Sequence, residues 1–410
     1  MPDLRKKSLS LGAIALTALL AACQQAGPTM PMFGAERTSQ PIGAEAVPGR
    51  LLVTWRHPEQ AQAILQKLGL AEHALDDSDV GVVDLANGVS AEALKTAAGA
   101  ALESVQPDYL LHDYATPNDP MYARQYALKR LEAPAAWDIT RGDPKVKIAI
   151  VDTGCDTGHP DLRDQIVGSF NSIGWRGALG VGSVRDDNGH GTHCAGIAAA
   201  EGNNDEGISG IAPGCKLLVV KALDTQGTGS ASDIARGVNW AADHGASVIS
   251  LSMGTTQDSS VMREAVAHAL QKGVVVVAAM GNEGQTLRNY PAAYPGVIAV
   301  GATDQSDQVA SFSTRGDWIS VSAPGVSILS TTPTYPVTLT QEAHLAASYG
   351  TMSGTSMATP LVAGVAALVR SAHPNWTPAQ VKQDLENTAV GSGFSSAEGH
   401  GRVDALAALR

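Results

Sequence analysis

The run Val274-Val275-Val276-Val277-Ala278-Ala279-Met280 has no polar side chain to present to water on either face. A strand of that kind belongs inside a sheet covered on both sides, which is the habit of parallel sheets. Val146-Lys147-Ile148-Ala149-Ile150-Val151, Lys216 to Leu223 and Ser247 to Met253 read as strands, and Val297 to Ala302 and Trp318 to Ser322 suggest more. Helical patterns lie between them. Ser230 with Asp233 three residues on reads as a capping box, Ile234, Val238 and Ala241 share one helical face, and Gly245 ends that element. Val261 to Lys272 is a helix stopped by Gly273, and Thr377-Pro378 opens a late helix with proline in its first turn. From Pro117 onward this alternation predicts an α/β fold with a mostly parallel sheet between helices. The chain has no internal repeat and no coiled-coil heptad.

Chemistry-bearing residues gather where these elements end. Asp152-Thr153-Gly154 follows a strand at its carboxyl end, where open α/β sheets place functional groups. Asn188-Gly189-His190-Gly191-Thr192-His193 precedes the small apolar run Cys194 to Ala200, so His190 sits where a loop enters a helix; His193 is expected to be structural. Gly354-Thr355-Ser356-Met357-Ala358-Thr359-Pro360 runs directly into apolar Leu361 to Val369. That puts the Ser356 hydroxyl at a helix N-terminus, where unpaired N–H groups and the helix dipole favour negative charge. A serine hydroxyl is a poor nucleophile at neutral pH and needs a base, and the base needs a group to orient it. Ser356, His190 and Asp152 are candidates for those three roles.

The order Asp, His, Ser is that of subtilisin; chymotrypsin has His, Asp, Ser and the α/β-hydrolases Ser, Asp, His. On Val151-Asp152-Thr153-Gly154, His190-Gly191-Thr192-His193, Gly354-Thr355-Ser356-Met357-Ala358 and Ala279-Met280-Gly281-Asn282-Glu283-Gly284, the chain resembles the subtilisin-like serine proteases (subtilases, peptidase family S8), in their thermitase-like branch. The resemblance implies a three-layer fold and peptide-bond hydrolysis through an acyl-enzyme. The oxyanion would be held by the Asn282 amide and the Ser356 N–H. Loss of such a side-chain donor costs about 2.7–4 kcal/mol, a magnitude established on subtilisin itself. The α/β-hydrolase order also occurs, in Ser356, Asp384 and His400, but its elbow requires glycine where Ala358 stands and only 54 residues follow the serine.

By the same resemblance, Ser252-Met253-Gly254 and Gly227-Thr228-Gly229 clamp an extended polypeptide substrate as an added strand. Main-chain pairing leaves selectivity to side-chain pockets. Asn289 stands where some relatives carry glycine at the base of the first pocket, so apolar or aromatic residues are expected before the scissile bond. A structural calcium ion is implied, with side-chain ligands from Asp119, Asp161 and Asn204 and carbonyls from Glu201, Glu206 and Ile208. Carboxylates, an amide oxygen and loop carbonyls suit that hard cation.

The rest of the chain reads as processing segments. Arg5-Lys6-Lys7 precedes Leu9 to Ala22, an apolar stretch too short to span a bilayer and typical of a signal peptide. It ends in Leu20-Ala21-Ala22-Cys23, which resembles a bacterial lipobox with Cys23 as the lipidated residue. The domain expectation is therefore 1–23 signal peptide, 24–46 flexible tether, 47–115 propeptide and 116–410 catalytic domain. The propeptide reads as β-α-β-α-β, with Leu102 to Leu111 broken near Pro107, and resembles the family's ferredoxin-like folding assistant and inhibitor acting in cis. Tyr114-Ala115-Thr116-Pro117 looks loop-like and cleavable.

These expectations make the protein an exported monomer, extracellular or anchored in the cell envelope through Cys23. The alternatives are a catalytically silent binding module of the same fold and an envelope processing factor that keeps its propeptide. A formal charge of −12, with no basic cluster beyond the N-terminus, argues against a nucleic-acid partner. With 44% apolar but only 4% aromatic residues, the core must be built from Ala, Val, Leu and Ile. If Cys23 is lipidated, Cys155, Cys194 and Cys215 form an odd set. Cys194 reads as a buried apolar residue beneath His190, and a Cys155–Cys215 bridge stays open at this point.

Overall fold

The computed structural model describes residues 46–74, 80–85, 89–109, 116–174, 178–179, 181–342 and 344–410. The expected signal peptide, Cys23, nearly all of the tether, and Tyr114-Ala115 lie outside the described residues.

Residues 46–109 form β1 (Ala46–Trp55), α1 (Pro58–Leu68), β2 (Glu72–Ala74), β3 (Val80–Asp84), α2 (Ala91–Ala98) and β4 (Leu102–Tyr109). Their sheet order, β2-β3-β1-β4, and their chain order are those of a ferredoxin-like unit. Alternate residues of β1, Leu51, Val53 and Trp55, pack on Ala61 and Leu65 of α1 and Leu94 and Ala98 of α2. The sequence pattern misses β2, which is only three residues long. It also breaks β4 at Pro107, whereas the strand runs through it: Pro107 pairs opposite Leu51 beside a bulge on an edge strand, where a missing N–H is tolerated.

The remaining residues begin with α3 (Tyr126–Arg130), α4 (Ala133–Ile139), β5 (Lys147–Asp152), β6 (Ile166–Asn171) and β7 (Ala178–Leu179). There follow α5 (His190–Ala199), β8 (Lys216–Lys221), α6 (Ala231–Asp243), β9 (Val248–Leu251), α7 (Ser260–Gln271) and β10 (Val275–Ala279). Then come β11 (Ile298–Thr303), β12 (Val321–Pro324), β13 (Ile328–Thr331), α8 (Thr338–Glu342), β14 (Tyr349–Met352), α9 (Thr355–Ala372) and α10 (Pro378–Asn387). Among the described residues, eight strands join in the order β12-β11-β10-β9-β5-β8-β6-β7, parallel except for β7. The pleat sends successive side chains to two cores. Ile148 and Ile150 of β5 join the core that holds α5 and α9, while Ala149 and Val151 join the core that holds α6 and α7.

Here the sequence reading and the structure agree on type and differ at edges. Residue Trp318 precedes β12 rather than opening it, because pairing with β11 begins at Val321. The expected capping box at α6 is half formed: Ser230 Oγ accepts from Asp233 N, but the Asp233 carboxylate takes the Ser230 hydroxyl instead of reaching a backbone N–H. The complete box lies at α10, between Thr377 and Gln380. Helix α9 is apolar and long enough to cross a membrane, yet it is buried as the central helix of its core.

Candidate active site

Strand β5 delivers Asp152 to the carboxyl edge of the sheet, beside the point where the chain jumps from β8 across β5 to β9. Ligand sites of open α/β sheets form at such a switch. Asp152 is buried, and its Oδ1 takes the Thr153 N–H at 2.7 Å and stands 2.8 Å from His190 Nδ1. His190 Nε2 has no hydrogen-bond partner among the described residues. Burial pushes the His190 pKa down, but the charge of Asp152 and the bond to it prevail and raise it well above the usual value. His193, one helical turn away, is expelled from titration: burial and His190 lower it to about 3, and its Nε2 lies 3.2 Å from the Gly350 carbonyl.

The loop that feeds His190 into α5 is fixed by a residue the sequence reading passes over. Asp186 is wholly buried; its Oδ1 accepts from Asn188 N, Gly189 N and the Thr153 hydroxyl, and its Oδ2 from Thr192 N and Thr192 Oγ1. His190 N donates to Asn188 Oδ1 and Gly191 N to Thr153 Oγ1. Every amide from Asn188 to Thr192 is thus paired. Next to it, the buried Lys221 ammonium binds Asp187 Oδ1, Thr153 O and Leu223 O. The only signal for Asp186 is an acidic residue shortly before a helix start.

Ser356 is the second residue of α9, after Gly354, which has no side chain of its own to cap the helix. Thr355 N and its hydroxyl both donate to Asn282 Oδ1, at 2.9 and 3.0 Å. That orients the Asn282 amide, whose nitrogen approaches Gly354 closely: a Cβ there would meet it at 3.4 Å. The Ser356 N–H has no acceptor among the described residues. Pro360 has no N–H, so the Ser356 carbonyl loses its helical partner. It is taken instead by the Ser252 hydroxyl at 2.9 Å and the Cys194 thiol at 3.5 Å, while the Ser356 hydroxyl donates to the Ser252 carbonyl at 3.1 Å. Ser252 and Ser356 therefore hold each other reciprocally.

His190, Ser356 and Asn282 share one cleft of about 420 Å³ with Ser252, Met253, Gly254 and Gly227. A smaller apolar chamber of about 250 Å³ continues from it between the two glycine-bearing segments, lined by Leu223, Ile234, Met253, Met262, Tyr290 and Tyr294. In the 227–229 segment Asp224 takes the Gly227 N–H on its carbonyl and the Thr228 N–H on its carboxylate, and its own N–H goes to the Thr228 carbonyl. Asn289 is buried, donating to Met280 O and Glu283 Oε2.

Away from the cleft, Asp119 and Asp161 are buried without a lysine or arginine partner among the described residues. Asp161 Oδ1 accepts from Asn204 Nδ2 and Oδ2 from Ile208 N; Asp119 accepts from Asn203 N; Glu206 N donates to Asn204 Oδ1. Burial pushes the Asp161 carboxyl up, and the Tyr349 hydroxyl is raised by burial and by the charges of Asp161, Glu206 and Asp119. Gly207 permits this approach, since a Cβ there would overlap the Tyr349 ring at 2.0 Å. Glu201 reaches the cluster through its N–H to the Asp161 carbonyl. Cys155, Cys194 and Cys215 are free, buried thiols, which closes the question of a Cys155–Cys215 bridge.

Asp152, His190 and Ser356 gather at this cleft in the chain order of subtilisin. The chain belongs to the subtilase family (Peptidase_S8), whose model matches residues 143–401. It is 47% identical over 297 residues to thermitase of Thermoactinomyces vulgaris, covering 72% of this chain and 99% of that one. Identity to the thermophilic serine proteinase of Bacillus sp. (strain AK1) is 43%, over 75% and 73% of the two chains. A solved protease of Pseudoalteromonas arctica PAMC 21717 superposes with a TM-score of 0.66 at 32% identity, over 72% of this chain and 99% of that one. The protein is a serine endopeptidase of the thermitase-like branch.

Proposed function

We propose that Ser356 is the nucleophile of this peptidase, with His190 as its base and Asp152 as the group that orients and charges the imidazole. The observation that carries this reading is the 2.8 Å bond from buried Asp152 to His190 Nδ1, which leaves Nε2 free on the cleft that Ser356 shares. Turning the Ser356 hydroxyl away from the Ser252 carbonyl frees its proton for Nε2. His190 takes the proton as Oγ attacks the peptide carbonyl, then gives it to the leaving amine; water reverses the sequence. The oxyanion is held by the Ser356 N–H and the Asn282 amide, whose oxygen is already occupied by Thr355. An extended polypeptide lies between Gly227-Thr228-Gly229 and Ser252-Met253-Gly254, with an apolar side chain in the chamber beyond Met253. Asn289 closes the first pocket, which favours apolar or aromatic residues there.

The protein is made as a precursor: signal peptide, tether, the unit at 47–115 as inhibitor in cis, and a catalytic domain from 116. It is exported and acts as a monomer, with Cys23 as its lipid anchor. The experiment is the intact mass of the chain expressed without its signal peptide, after incubation with calcium, beside Ser356→Ala. Wild type should lose a fragment ending near residues 114–117 while the variant stays whole. Cleavage of both alike, or of neither while wild type is folded, contradicts self-processing.

The residues at 119, 161 and 201–208 fit calcium: two buried carboxylates without a cationic partner beside an amide and a loop. Asp119, Asp161 and Asn204 would bind through side chains, and Glu201, Glu206 and Ile208 through carbonyls. The ion supplies stability, not chemistry. Removing a ligand held at a thousand times its Kd withdraws about 4 kcal/mol, so chelation should lower the melting temperature by roughly 10 °C. Asp161→Asn should melt lower from the start and respond little to chelator.

A further inference from the structure

Strand β14 begins at the carboxylate cluster of Asp119 and Asp161 and ends at the nucleophile. Tyr349, its first residue, pairs opposite Thr331. Met352, its last, lines the cleft of His190 and Ser356, and Ser353-Gly354-Thr355-Ser356 follows directly. Midway, the Gly350 carbonyl lies 3.2 Å from Nε2 of His193 on α5, the helix that carries His190. What holds the head of β14 therefore helps to hold the lining of the cleft.

Two side chains cross from the cluster to that head. His159 is wholly buried; its Nδ1 accepts from Asp161 N at 3.1 Å, so Nε2 carries the proton and donates to the Ser348 carbonyl at 2.8 Å. Both ends of that link are backbone groups, which carry no net charge. Tyr349 is the other link, and it meets the charges themselves. Its ring stands edge-on to His159, with centroids 5.1 Å apart, and lies so close over Gly207 that a Cβ there would fall 2.2 Å from the phenol oxygen. The hydroxyl is buried and has no hydrogen bond of good geometry among the described residues. Asp161, Glu206 and Asp119 are the charges that bear on it.

A buried donor without a set acceptor is costly, and carboxylates without a cationic partner repel one another. A cation at this cluster offsets the repulsion and holds the carboxylates in one arrangement, so that the Tyr349 O–H gains a charge-assisted bond to a fixed oxygen. Tyr349 is then pinned at one end of β14 while Met352 faces the substrate at the other. A lining that is already in place binds a peptide at lower cost.

We infer that Tyr349 is a positioning residue that couples the cation cluster to the substrate cleft through its hydroxyl. A filled cluster tightens the hold on a peptide, and a peptide in the cleft tightens the hold on the cation by the same factor. The inference rests on the proposed calcium site and goes beyond it, because there the ion supplies stability alone.

The test reads the cation rather than turnover. The calcium Kd of the active enzyme is measured by competition with a chelating dye, with and without a saturating peptide whose scissile amide is replaced by an uncleavable methylene-amine. Couplings of this kind run about 5–150-fold, so the wild-type Kd should fall at least about 5-fold when the peptide is bound. Tyr349→Phe keeps the ring over Gly207 and beside His159 and removes only the hydroxyl. It should bind both calcium and peptide with a ratio near unity. A merely structural role would weaken binding without moving that ratio. If the variant does not fold, the wild type still decides: the peptide Kd should tighten by the same factor between chelated and calcium-saturated enzyme, below the melting temperature of both. An unshifted calcium Kd in wild type, or an equal shift in Tyr349→Phe, overturns the inference. Failure of wild type to bind calcium at all contradicts the calcium site itself.

Discussion

The two helices that carry the serine and the histidine begin in opposite ways. At α5 each amide from Asn188 to Thr192 has a protein acceptor, with Asp186 taking five hydrogen bonds at the centre. At α9 the side chain of Asn282 takes only the Thr355 N–H, and the Ser356 N–H has no acceptor among the described residues. Both begin after a glycine, Gly189 and Gly354, so composition does not separate them. Their partners do. A base that must meet its proton at a fixed place benefits from a fully paired scaffold. A helix start that must receive a developing negative charge has to keep a donor unspent. Pro360 completes the contrast, because it frees the Ser356 carbonyl for Ser252 and Cys194 and so anchors α9 from beneath rather than from its exposed end.

Three substitutions break the comparison at different points. Asp152→Asn leaves the closed start intact but removes the charge that raises His190. It should lower kcat by about 10^4. Because Asp152 holds the imidazole pKa up, its loss should also move the acid limb of the pH–rate profile to lower pH, as read by steady-state kinetics on a peptide anilide. Asn282→Leu strips the side-chain donor from the open start. It should lower kcat by about 10^2–10^3 with little change in KM.

Asp186→Asn attacks the closed start itself, turning an all-acceptor hub into one that presents N–H groups to amides. It should destabilise the fold by about 3 kcal/mol in denaturant titration. Activity per folded molecule should fall roughly 10-fold as His190 loses register. An Asp186→Asn enzyme with wild-type kcat and stability would show that the closed start is incidental.

Much of this was legible before any coordinates. The runs at 146–151, 216–223, 247–253 and 274–280 mark the sheet because strands buried on both faces have nowhere to put polar residues. Asp152, His190 and Ser356 stand out because glycines and small polar residues interrupt those apolar patterns where elements end. Asp186 is nearly invisible, since a buried carboxylate and a solvated loop aspartate look alike until its partners are known. The β13–β14 pair is hidden for another reason: each strand is four residues long and mixed in polarity, too short for a period to emerge. Tyr349 gains its place only through tertiary contacts with His159 and Gly207.

The most direct test of the central claim, that one serine at an open helix start is activated by one imidazole on a closed one, is covalent labelling with phenylmethanesulfonyl fluoride followed by peptide mass mapping. The account predicts a single adduct on Ser356, formed in proportion to lost activity, slowed strongly in His190→Ala and absent in Ser356→Ala. Labelling of a different residue in step with inactivation, or equal labelling of Ser356 without His190, would contradict it.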